Sequence, residues 1–176
     1  TFFEGVTIEG FGKEPLKFHN LDINDTQFVN TNFKNVSFEG TKISNTSFHG
    51  ASFENVRFNG ATIDNTTFEN MLPAIRKGSI SLNGVKIIGS LDNLDLKDIS
   101  FKGADLSEVT SMNGTNITGA NFITAKLPEN KNILIDSFGL KSAAFGPDTI
   151  SQEQYKLNQD KICESITSQL VKKSKS

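Results

Sequence analysis

Tryptophan is absent from this 176-residue chain, and Tyr and Cys occur once each, yet Phe occurs 15 times. The lone Cys163 excludes an internal disulfide and fits a reducing compartment. No apolar run approaches the ~18 residues of a membrane-spanning helix, and no secretory signal opens the chain. Charge of either sign is not in excess. The 18 basic and 20 acidic residues leave a net charge of −2, which gives no general reason to expect nucleic acid or a membrane as partner. The chain opens at Thr1, already patterned, and reads as a fragment or a processed product. An excess of Phe without Trp or Tyr means that one kind of position repeatedly asks for a flat apolar ring with no polar tip.

That position recurs every five residues. Phe48, Phe53, Phe58, Ile63 and Phe68 mark the beat, which suits neither an α-helix nor an ordinary strand. With the key residue third, units run from 1–5 (TFFEG) to 66–70 (TTFEN), and only 11–15 (FGKEP), with Lys13 central, is poor. The first position is small or aliphatic, the second and fourth are polar, and the fifth is mostly Asn or Gly. In an extended segment the first and third side chains point one way and the second the other. The fourth and fifth residues must then turn the chain, and Asn and Gly tolerate the conformations this needs. Repeated, such units make a coil of short edges whose stacked backbones pair in parallel.

The number of sides is also in the sequence. Ile holds the centre at 23, 43 and 63, and Thr the first position at 26, 46 and 66, so the super-period is twenty residues and the coil has four sides. The grammar resumes from 80–84 (ISLNG) to 125–129 (AKLPE), with a six-residue unit at 109–114. Residues 71–79 (MLPAIRKGS) and 90–93 (SLDN) read as loops pushed out at corners. If they leave the register intact, the first face stacks Phe3, Ile23, Ile43, Ile63, Leu96 and Ile117, and the second Ile8, Phe28, Phe48, Phe68, Phe101 and Phe122. The third then stacks Lys13, Phe33, Phe53, Leu82, Leu106 and Leu127, and the fourth Phe18, Phe38, Phe58, Ile87 and Met112. The expected fold is all-β: a β-helix of about six coils over 1–129, an irregular connector over 130–148 and a C-terminal helix over 149–173. That helix carries an apolar stripe of Ile162, Ile166 and Leu170, and it caps the last coil or serves as a connector or dimer helix. Nothing comparable precedes Thr1, so the other end calls for further residues or a partner, an end-to-end dimer among them.

No set of residues suggests catalysis. His19 and His49 fall on different faces, Cys163 has no neighbouring His, and the glycines serve corners rather than a phosphate loop. No cofactor or metal is expected. The 71–79 segment is the most specific surface feature. Met71, Leu72 and Ile75, with Arg76 and Lys77, are read as protruding from the rod to meet a protein partner; the alternative is that they fold back on it.

The run of units over 1 to about 129 resembles the pentapeptide-repeat family, whose consensus is A(D/N)LXX, with Phe used here where Leu is commoner. The resemblance implies a right-handed four-sided parallel β-helix. It also implies a non-catalytic protein-interaction module. The Asn-, Lys- and Thr-rich composition is similar to β-helix domains of bacterial secreted effectors, which implies a host or cellular protein as partner. The expected location is then the bacterial cytoplasm or a host cell. An alternative from the same family is a DNA mimic that binds topoisomerase, of the quinolone-resistance type; it needs a strongly anionic rod, and residues 1–70 sum only to −4. A structural spacer is the third reading.

Overall fold

The computed structural model describes residues 1–134 and 137–146. The helix expected over 149–173 lies outside the described residues. The chain winds into a four-sided parallel β-helix in which every named strand pair is parallel. Its elements run β1 (Phe2–Glu4), β2 (Thr7–Glu9), β3 (Leu16–Lys17), β4 (Asp22–Asn24), β5 (Gln27–Val29), β6 (Asn32–Ser37), β7 (Lys42–Ser44), β8 (Ser52–Arg57), β9 (Thr62–Asp64), α1 (Asn65–Arg76), β10 (Lys86–Ser90) and β11 (Asp105–Ser111).

The corners follow the fifth position of each unit. Asn20, Asn30, Asn35, Asn45 and Asn55 all adopt φ between 44° and 54°, and Gly40, Gly50 and Gly60 between 67° and 79°. At Gly50 the need for glycine is twofold. Its φ is +67°, and an added Cβ would lie 2.1 Å from Asn30 Oδ1 in the layer below. The inward third positions build stacked columns. Phe18, Phe38 and Phe58 stack nearly parallel at 5.2 and 4.8 Å, and Phe28 and Phe48 at 5.3 Å. Ile23, Ile43 and Ile63 are in direct register on the first face.

Two insertions shift the columns from the expected assignment. Phe3 pairs with Phe28 and Ile8 with Phe33, a spacing of 25, whereas Leu16 pairs with Val36, a spacing of 20. FGKEP is therefore an extra corner loop, and Lys13 holds no core position. Gly10 and Leu16 meet across its base, and Asn35 Nδ2 donates to Glu14 O at 3.0 Å to tie it down. The second insertion is α1, where a further unit and a loop were expected. It takes the place of the second and third faces of one layer, and the chain regains the ladder with Ile87 opposite Ile63. Because two sides are replaced, the later columns move. Ile87, Leu106 and Leu127 continue the first face; Leu91 and Met112 the second; Leu96 and Ile117 the third; Leu82, Phe101 and Phe122 the fourth. Residues 90–93 are likewise not pushed out. Leu91 is fully buried, its N–H donates to Ser111 O at 2.9 Å, and Asn93 turns the corner at φ 59°. β11 absorbs the extra residues of its lap in two bulges. Residues 137–146 add a partial layer, bridging Asn116 to Phe138 and Asn121 to Ala144.

Candidate interaction surface

Helix α1 forms because two patterns coincide after Asp64. Phe68, Met71, Leu72 and Ile75 fall at helical spacing, and Asp64 is a good N-cap. Asp64 Oδ1 accepts from Thr67 N–H at 2.9 Å, while its Oδ2 accepts from Asn45 N–H in the layer below, also at 2.9 Å. One carboxylate thus starts the helix and fixes it to the coil. Thr67 Oγ1 then accepts from Thr46 N–H at 3.2 Å, giving that coil backbone a substitute for the strand it lacks. Phe68, Met71 and Ile75 enter the core, where Phe68 tilts against Phe101 at 5.9 Å.

The far end of α1 is held by Arg76. Its guanidinium donates to Lys97 O at 2.9 Å and to Asp95 O. In a complete layer such carbonyls accept from backbone amides of the strand beneath, as Asn116 O and Thr118 O accept from Leu96 N–H and Asp98 N–H. The planar fork therefore replaces two strand amides with one side chain. Asp95 Oδ2 lies 3.7 Å away and adds charge attraction.

These placements correct the expected contact set. Met71 is fully buried and Ile75 is buried, so neither protrudes; they fold back into the core because the segment is helical. Leu72 is half-buried, and Arg76 and Lys77 are exposed. Beside them lies a cleft of about 260 Å³ between α1 and the corner at Gly50, with Phe53, Ala51, His49, Asn70 and Lys77 among its lining. Phe53 is half-buried there, whereas Phe33 beneath it is fully buried. The position of the cleft was beyond the reach of pattern reading, because it exists only where the third face loses a strand.

Elsewhere the surface divides into an apolar end and mixed faces. At the end formed by the first layer, Phe2 is 60%, Leu21 48% and Leu16 40% exposed, and Phe11 on the extra loop is 99% exposed. On the first face charges alternate, Asp22 beside Lys42 and Lys86 beside Asp105, which in turn neighbours Lys126. Lys86 donates to Glu108, and that bond raises its pKa against the opposing effect of desolvation. His19 lies 3.8 Å from Glu39. Among the described residues no group of three or more His, Cys, Asp or Glu is arranged to hold a metal ion, and no helix is long and apolar enough to cross a membrane.

Comparison with known proteins adds the following. The chain matches the family model "Pentapeptide repeat region" over residues 14–68 and "Pentapeptide repeats (8 copies)" over 90–127, together more than half its length. Most of α1 and the turn after it fall between the two matches. An uncharacterised protein of Rickettsia prowazekii (strain Madrid E) is 33% identical over 111 residues, or 62% of this chain and 12% of that protein. The chain thus spans about an eighth of that relative's length. Among solved structures, a trypsin-treated variant of QnrB1, a plasmid-mediated fluoroquinolone resistance protein, is 15% identical, with 82% of this chain and 77% of that one covered and a TM-score of 0.39. A pentapeptide repeat protein of the Arabidopsis thaliana thylakoid lumen is 17% identical, with coverages of 85% and 83% and a TM-score of 0.26.

Proposed function

Since the chain belongs to the pentapeptide-repeat family, we propose that it is a non-catalytic protein-interaction module of a longer protein, acting through the surface around α1. The observation that carries this reading is the substitution of a helix for two sides of one layer. A regular coil would have filled that space with less sequence. Instead Asp64 and Arg76 anchor a helix at both ends beside a cleft, on a scaffold whose stacked columns hold it still. The finer reading is an effector-like protein that engages a host or cellular protein. It draws on the resemblance of the Asn-, Lys- and Thr-rich repeats to effector domains. A DNA mimic is disfavoured by the alternation of Lys42, Lys86 and Lys126 with Asp22 and Asp105, which breaks up the anionic surface such mimicry needs.

The test is affinity capture with the tagged chain and its Leu72→Asp variant, after circular dichroism has shown both to be folded. Leu72 is half-buried on α1 and forms no part of either anchor. A partner recovered by the wild type and lost by the variant supports the reading. Equal recovery removes this surface as the contact. Inhibition of a topoisomerase supercoiling assay by the chain would instead favour the mimic.

A further inference from the structure

In a parallel ladder, alternate residues of a strand bond to opposite neighbours. In β8, Ser52 bonds toward the layer below, its N–H donating to Thr31 O at 3.0 Å. Ala51 O, Phe53 N–H and Asn55 N–H therefore face the layer above. Two laps on, the corresponding groups of the third face show what such a position normally does. Leu94 O accepts from Asn116 N–H at 2.9 Å, Leu96 N–H donates to Asn116 O at 2.8 Å, and Asp98 N–H donates to Thr118 O at 2.9 Å. Above β8 there is no strand: it pairs only with β6, and among the described residues these three groups have no hydrogen-bond partner. The opposite rim of the gap is served by Arg76, which occupies Asp95 O and Lys97 O. The gap thus has one satisfied edge and one free edge, and the Ala51–Phe53 part of the free edge lines the 260 Å³ cleft. Phe53 supplies a half-buried ring as its floor, and the lining contains Lys77 and His49 but no carboxylate.

We propose that the free edge of β8 binds a short extended peptide of a partner protein by strand addition, with one apolar side chain placed over Phe53 and an anionic group toward Lys77. The peptide would run parallel to β8 and contribute about three residues, the length of one side of the coil. Main-chain bonds to Ala51 O, Phe53 N–H and Asn55 N–H give affinity, while the ring and the lysine select sequence. This inference deepens the interaction reading and rests on it.

The experiment is amide hydrogen exchange followed by NMR on the whole chain, alone and with an acetylated, amidated Ala-Asp-Leu-Glu-Asn probe. In the free chain the amides of Phe53 and Asn55 should exchange faster than those of Leu96 and Asp98, their counterparts two laps on. Saturating probe should slow both. Lys77→Glu should weaken probe binding several-fold, and the probe with Pro in place of Asp, which lacks the amide that donates to Ala51 O, should bind more weakly still. The proposal is overturned if both amides are already protected in the free monomer, or if probe at saturation leaves them unchanged. It is also overturned if they become protected on raising the chain concentration without probe, which would make a second copy the occupant. Partner capture that depends on Leu72, with a probe that does nothing, would leave the interaction reading standing and remove only the strand addition.

Discussion

Phe48 shows how a single residue holds a layer. Its ring stacks on Phe28 at 5.3 Å and meets Phe58 edge-on at 6.2 Å, and the side chain is buried. Phe48→Ala should destabilise the fold by about 3–5 kcal/mol, read as a lower urea midpoint. A loss below about 1 kcal/mol would contradict its core role. A second residue sets an acid limb. The Ser111 hydroxyl donates to Asp92, and Asn113 N–H adds a bond at 2.7 Å; together they hold its carboxyl below the usual range despite some desolvation. A depressed folded-state pKa gives stability that is present above the unfolded pKa, near 3.9, and lost as pH falls through the folded value. Asp92→Asn should therefore lower the midpoint at neutral pH and narrow the difference between neutral and acid melting curves. At this scale the sequence was highly legible. An apolar third residue and a left-handed fifth residue are local requirements, and each is met by a residue type that announces it.

Helix α1 shows where that legibility stopped. Its signals were present: Asp64 lies three residues before Thr67, and Phe68, Met71, Leu72 and Ile75 share helical spacing. They were masked because TTFEN also scans as a regular unit, and Phe68 is buried under either scheme. The later columns were misassigned for a related reason. Nothing between 71 and 79 says how many sides an insertion replaces, and the count emerges only when Ile87 meets Ile63. The anchors of α1 make two predictions. Asp64→Ala removes both the cap and the tie to Asn45, and should cost about 1–2 kcal/mol, with faster amide exchange at Thr67 and Asn45. Arg76→Lys should cost a similar amount, about 1–3 kcal/mol, because one ammonium cannot span two carbonyls held by a fork. If Lys restores full stability, the strand-replacing role of the guanidinium is wrong.

For the whole molecule, the layers share four columns, and an open end exposes all of them. β1, β2, β3 and β4 are each paired on one side only, and Phe3, Ile8, Phe18 and Ile23 are less buried than the residues stacked above them. The isolated 176-residue chain should therefore associate with rising concentration, seen as a growing sedimentation coefficient. Phe3→Glu combined with Leu21→Glu should suppress it; unchanged association would place the contact elsewhere. The end-to-end pairing expected from the sequence would take this form.

A stack in which each layer touches only its neighbours has a stability that is a sum of layer terms and junction terms. At the layer holding α1, the first face keeps its ladder through β9 and β10, and the fourth face keeps Gly60 N–H on Gly84 O. The other two ladders stop there, replaced by side-chain bonds from Asp64, Thr67 and Arg76. A junction with half its ladders thus sits near mid-chain, among the described layers, as well as at the partial layer of residues 137–146. In such a stack cooperativity divides most readily where ladders are missing, here between the residues before Asp64 and those after Ile80, which are joined by the same element that carries the candidate binding surface.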